Sequence, residues 1–234
     1  MDPHYTYFLI LACTIIGPLI LSFDKKVGFY KKWKYLFPAM VIPALLYIVW
    51  DIYFVSKGVW SFNPRYVTGI LISNLPIEEV LFFIVVPYSC VFIYECLISY
   101  FPVIKKRKAG NNIIIVLAVL LLVFGFYFLN KYYTSWTFLG LAAVIALVYF
   151  NKKYFSVFSA NAFLVSYIVV LIPFLIVNGF LTSIPVVLYN DAENTGVRIL
   201  TIPFEDIFYG MLLVMMNIIN YEKLKPVNDE HEFN

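Results

Sequence analysis

Two prolines 127 positions apart, Pro76 and Pro203, each open the same polar-then-apolar phrase. Pro76-Ile77-Glu78-Glu79-Val80 runs on to Tyr94-Glu95, and Pro203-Phe204-Glu205-Asp206-Ile207 runs on to Tyr221-Glu222. A glycine, Gly69 or Gly196, precedes each proline by seven residues. Both phrases put two adjacent carboxyl groups at the head of a segment long enough to cross a bilayer, where ionisable groups are expensive and call for a chemical reason. A repeat of this period also implies a chain built by duplicating a unit of about three helices.

Composition sets the class. Apolar residues make up 62% of the chain and charged ones 13%, at a mean hydropathy of +0.85, which lies outside the range of soluble domains. Cys13, Cys90 and Cys96 fall in apolar runs at spacings that suit neither a disulfide framework nor a metal site. Seven spans are predicted, near 5–23, 34–55, 78–100, 113–129, 134–150, 158–180 and 203–222; the fifth is the shortest and could merge with the fourth. The first reads as a retained span and not as a signal peptide. Prolines within spans (Pro18, Pro38, Pro43, Pro87, Pro173) are expected to kink helices without ending them.

The basic residues give a direction. Lys25, Lys26, Lys31, Lys32, Lys34, Lys105, Lys106, Arg107, Lys108, Lys152, Lys153, Lys223 and Lys225 all follow odd-numbered spans, so thirteen of the 17 Lys and Arg residues share one side. Cytoplasmic loops are the basic ones, which places the N-terminus outside and the C-terminus inside. The net charge of +3 is thus a topology signal; nucleic acid would require a basic face on a soluble domain. Spans three and seven then run the same way, giving two parallel three-span repeats joined by the fourth span. The expected division is 1–104 for the first repeat, 105–133 for the connector, 134–225 for the second repeat and 226–234 for a polar tail. The apolar loops 56–75 and 181–202, before the two motifs, are expected either to roof a cavity or to lie on the headgroups.

Glu78, Glu79, Glu205 and Asp206 are the leading catalytic candidates. Neighbours on a helix point about 100° apart, so one acid of each pair can face the bundle while the other faces a loop. Acids in a first turn also answer the helix dipole, but the matched pairs favour chemistry. A carboxyl in apolar surroundings can stay protonated near neutral pH, and two carboxyls in different surroundings supply an acid and a base. Asp51 and Asn178, each 25 residues before its proline, extend the repeat and could tune the motif acids. Glu95 and Glu222, roughly 25 Å further along their helices, belong with the basic side and are expected to pair with Lys105–Lys108 or with Lys223 and Lys225. Aromatic residues cluster around the motifs (Trp50, Tyr53, Phe54, Trp60, Phe62, Phe82, Phe83, Phe208, Tyr209). A desolvated ring face stabilises a cation by about 0.5–2 kcal/mol.

With these motifs, the Trp50-Asp51 pair, Gly58-Val59-Trp60-Ser61-Phe62 and Pro185-Val186-Val187-Leu188-Tyr189-Asn190, the chain resembles the lycopene cyclase domain family over roughly 5–225. Both of its domains lie in one polypeptide here, as in the fused form. The resemblance implies an all-α integral membrane protein that cyclises the ψ end groups of lycopene to β rings through a carbocation, giving γ- and β-carotene. No cofactor or metal is implied; the partners would be the carotenoid substrate, the bilayer and other enzymes of the carotenoid pathway, and the location the plasma membrane. Glu78 or Glu79, with Glu205, would supply acid and base, Asp206 and Asp51 tuning them. Trp60, Phe82, Phe83, Asn178, Tyr189, Asn190, Phe208 and Tyr209 would stabilise the cation or tune the acids. The chain lacks the Gly-x-Gly-x-x-Gly pattern of a nucleotide fold. Competing readings are a transporter, a seven-helix receptor or retinal-binding protein, and a prenyltransferase-like enzyme. Span seven offers no Schiff-base lysine, and no Asp-x-x-x-Asp motif is present.

Overall fold

The computed structural model describes residues 2–226; the tail expected at 226–234 therefore lies, from 227 on, outside the described residues. The protein is an all-α membrane bundle. Its long helices are α1 (Thr6–Leu21), α2 (Trp33–Ser56), α3 (Ile77–Tyr100), α5 (Ala109–Tyr127), α6 (Tyr132–Phe150), α7 (Ala160–Ser183) and α8 (Asp206–Leu224), with a single-turn α4 (Val103–Lys106) before α5. The fourth and fifth spans are separate helices, divided by a short turn. All five prolines named above sit inside helices that continue through them.

Among the described residues, six helices are long and apolar enough to cross a bilayer, and α8 is not among them. The reason is position. The α8 helix is enclosed by protein and buries Asp206, Asn217 and Glu222 along with its apolar residues, so it needs no lipid-facing surface. Its counterpart α3 is likewise the most buried of the six spanning helices. Ile16, Leu45, Val49, Val123, Ile168 and Ile172, on the outer helices, are more than half exposed and form a lipid-facing belt.

The duplication is visible in the packing. Helix α1 packs on α3 as α6 packs on α8, while α2 lies on α8 and α7 on α3, so each repeat lends its middle helix to the other. Helix α5 braces α6 and α7. Strand β1 (Trp60–Phe62) pairs antiparallel with β4 (Val187–Tyr189), and Ser61 faces Leu188, its own counterpart 127 residues on. The flanking bonds mirror each other: Asn63 N–H donates to the Val186 carbonyl and Asn190 N–H to the Val59 carbonyl, both at 2.9 Å. A pseudo-twofold axis therefore passes through this strand pair. Each motif helix is preceded by a small hairpin, β2–β3 (Leu71–Ile72, Leu75–Pro76) or β5–β6 (Arg198–Ile199, Ile202–Pro203). Gly69 and Gly196 enter these hairpins at φ +82° and +75°, the left-handed region that glycine tolerates.

At the opposite, basic end, buried Glu95 bonds to Lys32 and, at 2.6 Å, to Lys225, and Glu222 bonds to Lys105 at 2.9 Å and Lys225 at 3.4 Å. Lys105 and Lys225 were expected partners and Lys32 was not; Lys223 instead lies over the Tyr154 ring. Burial opposes the Lys225 charge, but Glu95 and then Glu222 more than offset it, holding the ammonium above its ordinary range. This network ties the foot of α3 to that of α8. Glu95→Ala would leave Lys32 and Lys225 without their shared carboxylate and is expected to cost about 3–5 kcal/mol, read as a lower unfolding temperature in detergent.

Candidate functional site

Within each motif the two acids part company. The first acid turns back to the loop before its helix: Glu78 Oε1 accepts from the Thr68 amide at 2.8 Å and Glu205 Oε1 from the Thr195 amide at 2.7 Å. Thr134 Oγ1 adds a second bond to Glu205 at 2.6 Å. These acids are fully buried and brace the hairpins. The second acid, Glu79 or Asp206, points about 100° away, into a cavity between the two halves.

That cavity, about 30 Å³, is lined from both repeats and by residues of the roof strands. Glu79, Asp206 and Asp51 all reach it, with Trp60, Phe82, Asn178, Tyr189 and Tyr209 of the sequence-derived set, and with Phe62. Glu78, Glu205, Phe83, Asn190 and Phe208 do not line it. Phe83 packs in the core against Tyr47, and Phe208 stacks edge-on with Phe138 and Phe204. Asn190 fastens the roof by donating to the Gly58 carbonyl at 3.0 Å.

Hydroxyl groups, and no cations, serve the cavity acids: among the described residues none of the three forms an ion pair. Tyr7 donates to Glu79 Oε2 at 2.6 Å and Tyr209 to Asp51 Oδ1 at 2.7 Å. Asp51 Oδ2 receives no N–H or O–H donor, and Asp51 and Glu79 line the same cavity. A buried carboxyl oxygen without a donor favours the protonated acid, which carries its own O–H. Asp206 is served differently: Tyr133 donates to Oδ1, and Tyr189 to Oδ2 at 3.1 Å. Burial first, and the Asp206 carboxyl next, push the Tyr189 phenol well above its usual range, so it remains a donor. Trp60 sits at the centre of the tyrosines, its ring 5.1 Å from Tyr133, 5.9 Å from Tyr209 and 6.0 Å from Tyr189.

Tyr7 and Tyr133 escaped the sequence reading. They lie more than 70 residues from their acids, at the starts of α1 and α6, where tyrosine is common at membrane interfaces and carries no distinguishing signal. Their spacing of 126 also misses the 127-residue frame, in which Tyr7 corresponds to Thr134. Among the described residues, no group of three or more His, Cys, Asp or Glu is disposed to hold a metal ion.

Fold and site define a polytopic membrane protein made of two tandem three-helix units that share one acid-lined cavity. The family model for lycopene cyclase matches residues 4–97 and 130–224, one segment per repeat, and the chain belongs to that family. It is 35% identical over 96 residues to a lycopene beta-cyclase of Halobacterium salinarum, covering 38% of each chain. It is 27% identical over 124 residues to a bifunctional lycopene cyclase/phytoene synthase of Aspergillus oryzae, covering 51% of this chain and 20% of the fungal protein. A similarly named Gibberella fujikuroi protein is 27% identical over 73 residues, or 30% of this chain and 13% of its own. The matches thus span well under two thirds of each relative. No solved structure matches.

The hairpin-bracing role of the first acids is open to direct measurement. Replacing Glu78 by Ala strands the Thr68 amide and is expected to lower stability by about 1–3 kcal/mol, whereas Glu78→Gln, which keeps an acceptor oxygen, is expected to lose less in the same thermal unfolding assay.

Proposed function

We propose that this protein is a lycopene beta-cyclase, an intramolecular lyase or isomerase that closes ψ end groups of lycopene into β rings by acid and base alone. The observation that carries the reading is the placement of three buried carboxyl groups, Asp51, Glu79 and Asp206, in one aromatic-lined cavity between the halves. The names and partial matches of the archaeal and fungal relatives support it.

A carboxylic acid protonates C2 of the terminal double bond, leaving a tertiary cation at C1. The C5=C6 double bond attacks C1, forming the C1–C6 bond and moving the cation to C5. A carboxylate then takes the C6 proton, and its electron pair forms the C5=C6 bond of a β ring. One proton enters and one leaves, so reactant and product are isomers. Two such closures convert lycopene to γ-carotene and then to β-carotene. Trp60, Tyr189, Tyr209 and Phe82 present ring faces to the cation, and exclusion of water protects it from capture. The cavity is smaller than a carotenoid end group, so the roof or the aromatic walls part to admit one.

The basic end faces the cytoplasm and the cavity lies near the outer leaflet of the plasma membrane, as the lysine distribution favours. Other enzymes of the carotenoid pathway supply the substrate from the same bilayer.

Expression in a lycopene-accumulating bacterium tests the reading: pigment should shift from red to orange, with cyclic carotenes resolved by chromatography. Glu79→Gln and Asp206→Asn should each lower ring formation roughly 100-fold or more, while Glu78→Gln and Glu205→Gln, if stably folded, should retain measurable activity. No new pigment from the intact chain would return the protein to the transporter or receptor class.

A further inference from the structure

The two halves of the cavity are not chemically equivalent, and their hydrogen bonds divide the labour between them. On the first side two carboxyls share the cavity with one phenol each: Glu79 accepts from Tyr7 and Asp51 from Tyr209, and Asp51 Oδ2 is left without a donor. On the second side, the position equivalent to Asp51 is Asn178, whose amide nitrogen is spent on the Phe174 carbonyl at 2.9 Å. Asp206 differs in that both of its oxygens already accept from phenols.

Donor counting gives each side a resting state. Asp51 Oδ2, buried without a donor in a cavity that also holds Glu79, is satisfied by a proton of its own, so that side stores one. The Asp206 oxygens need no proton of their own, because Tyr133 and Tyr189 fill both, so that side holds a vacancy for one. Resting on the cyclase reading above, we propose that the Asp51–Glu79 pair is the proton donor to C2 and that Asp206 is the base that removes the C6 proton. Tyr133 and Tyr189 are the positioning residues that hold Asp206 in its accepting form and aim it.

The assignment has a chemical signature separate from rate. The ring-closed C5 cation can lose a proton from C6 to give a β ring, from C4 to give an ε ring, or from the C5 methyl group to give a γ ring. The donor acts before that branch point and the base acts at it. Weakening the donor therefore slows lycopene consumption but leaves β rings as the product. Weakening the base diverts cations to ε or γ rings or to water-trapped alcohols.

The experiment is product analysis of end groups in lycopene-producing cells expressing Glu79→Gln, Asp51→Asn, Asp206→Asn, Tyr133→Phe, Tyr189→Phe, Tyr7→Phe or Tyr209→Phe. Protein amount is normalised by immunoblot. Asp206→Asn, Tyr133→Phe and Tyr189→Phe are expected to raise the share of non-β end groups at least severalfold. Glu79→Gln, Asp51→Asn, Tyr7→Phe and Tyr209→Phe are expected to lower total rings with the β share unchanged. The conservative phenylalanine variants keep the proposal decidable where a carboxyl variant makes no product. The reverse pattern overturns the assignment, as does an unchanged β share in all the Asp206-side variants that still form rings or a complete lack of rings in all of them. Failure of the unsubstituted chain to make any ring sinks the cyclase reading itself, so the two failures are distinguishable.

Discussion

Placing three carboxyl groups together in an apolar interior, with phenols as partners and no ion pairs, is the constraint around which the fold is arranged. An uncompensated charge in such surroundings carries a penalty of several kcal/mol, which the protein must meet with well-placed donors or by keeping a proton. The donors come from elements distant in sequence: Tyr7 from α1, Tyr133 from α6, Tyr189 from the roof and Tyr209 from α8. Each helix joined by one of these bonds is thereby restrained in rotation. The more polar makeup of α8 follows, because a helix surrounded by other helices can bury Asp206 and Asn217 without facing lipid.

Most of the lysine cations lie at the other end of the bundle, where Glu95 and Glu222 engage Lys32, Lys105 and Lys225. That separation matters electrically. A lysine beside Glu79 or Asp206 would hold the carboxyl ionised and unable to give up a proton. The two motif segments therefore carry three kinds of carboxyl: one neutralises ammonium groups at the foot, one faces phenols at the head, and one accepts from the loop amides.

Much of this was legible in the chain. Helix number, the parallel repeat and the partition of each acid pair between loop and bundle followed from hydrophobic runs, the 127-residue period and the turn of a helix. Which acid of each pair faces the cavity was not legible, because a 100° rotation either way satisfies the sequence. It is decided by Thr68 and Thr195, whose amides capture Glu78 and Glu205. Phe83 and Phe208 looked like cavity walls from their proximity to the acids, but an aromatic residue four or fewer positions along a helix can equally fill the core. The exchange of middle helices, α2 onto α8 and α7 onto α3, leaves no local trace in sequence at all.

The mirrored strand pair, with Ser61 opposite Leu188, has an evolutionary corollary. Two identical polypeptides assembled around that axis would have to present the same side chain at both places now held by Asp51 and Asn178. Specialisation of one face for giving and the other for taking was closed to such an ancestor. Two halves that differ in sequence, as here at Asp51 and Asn178, lift that restriction.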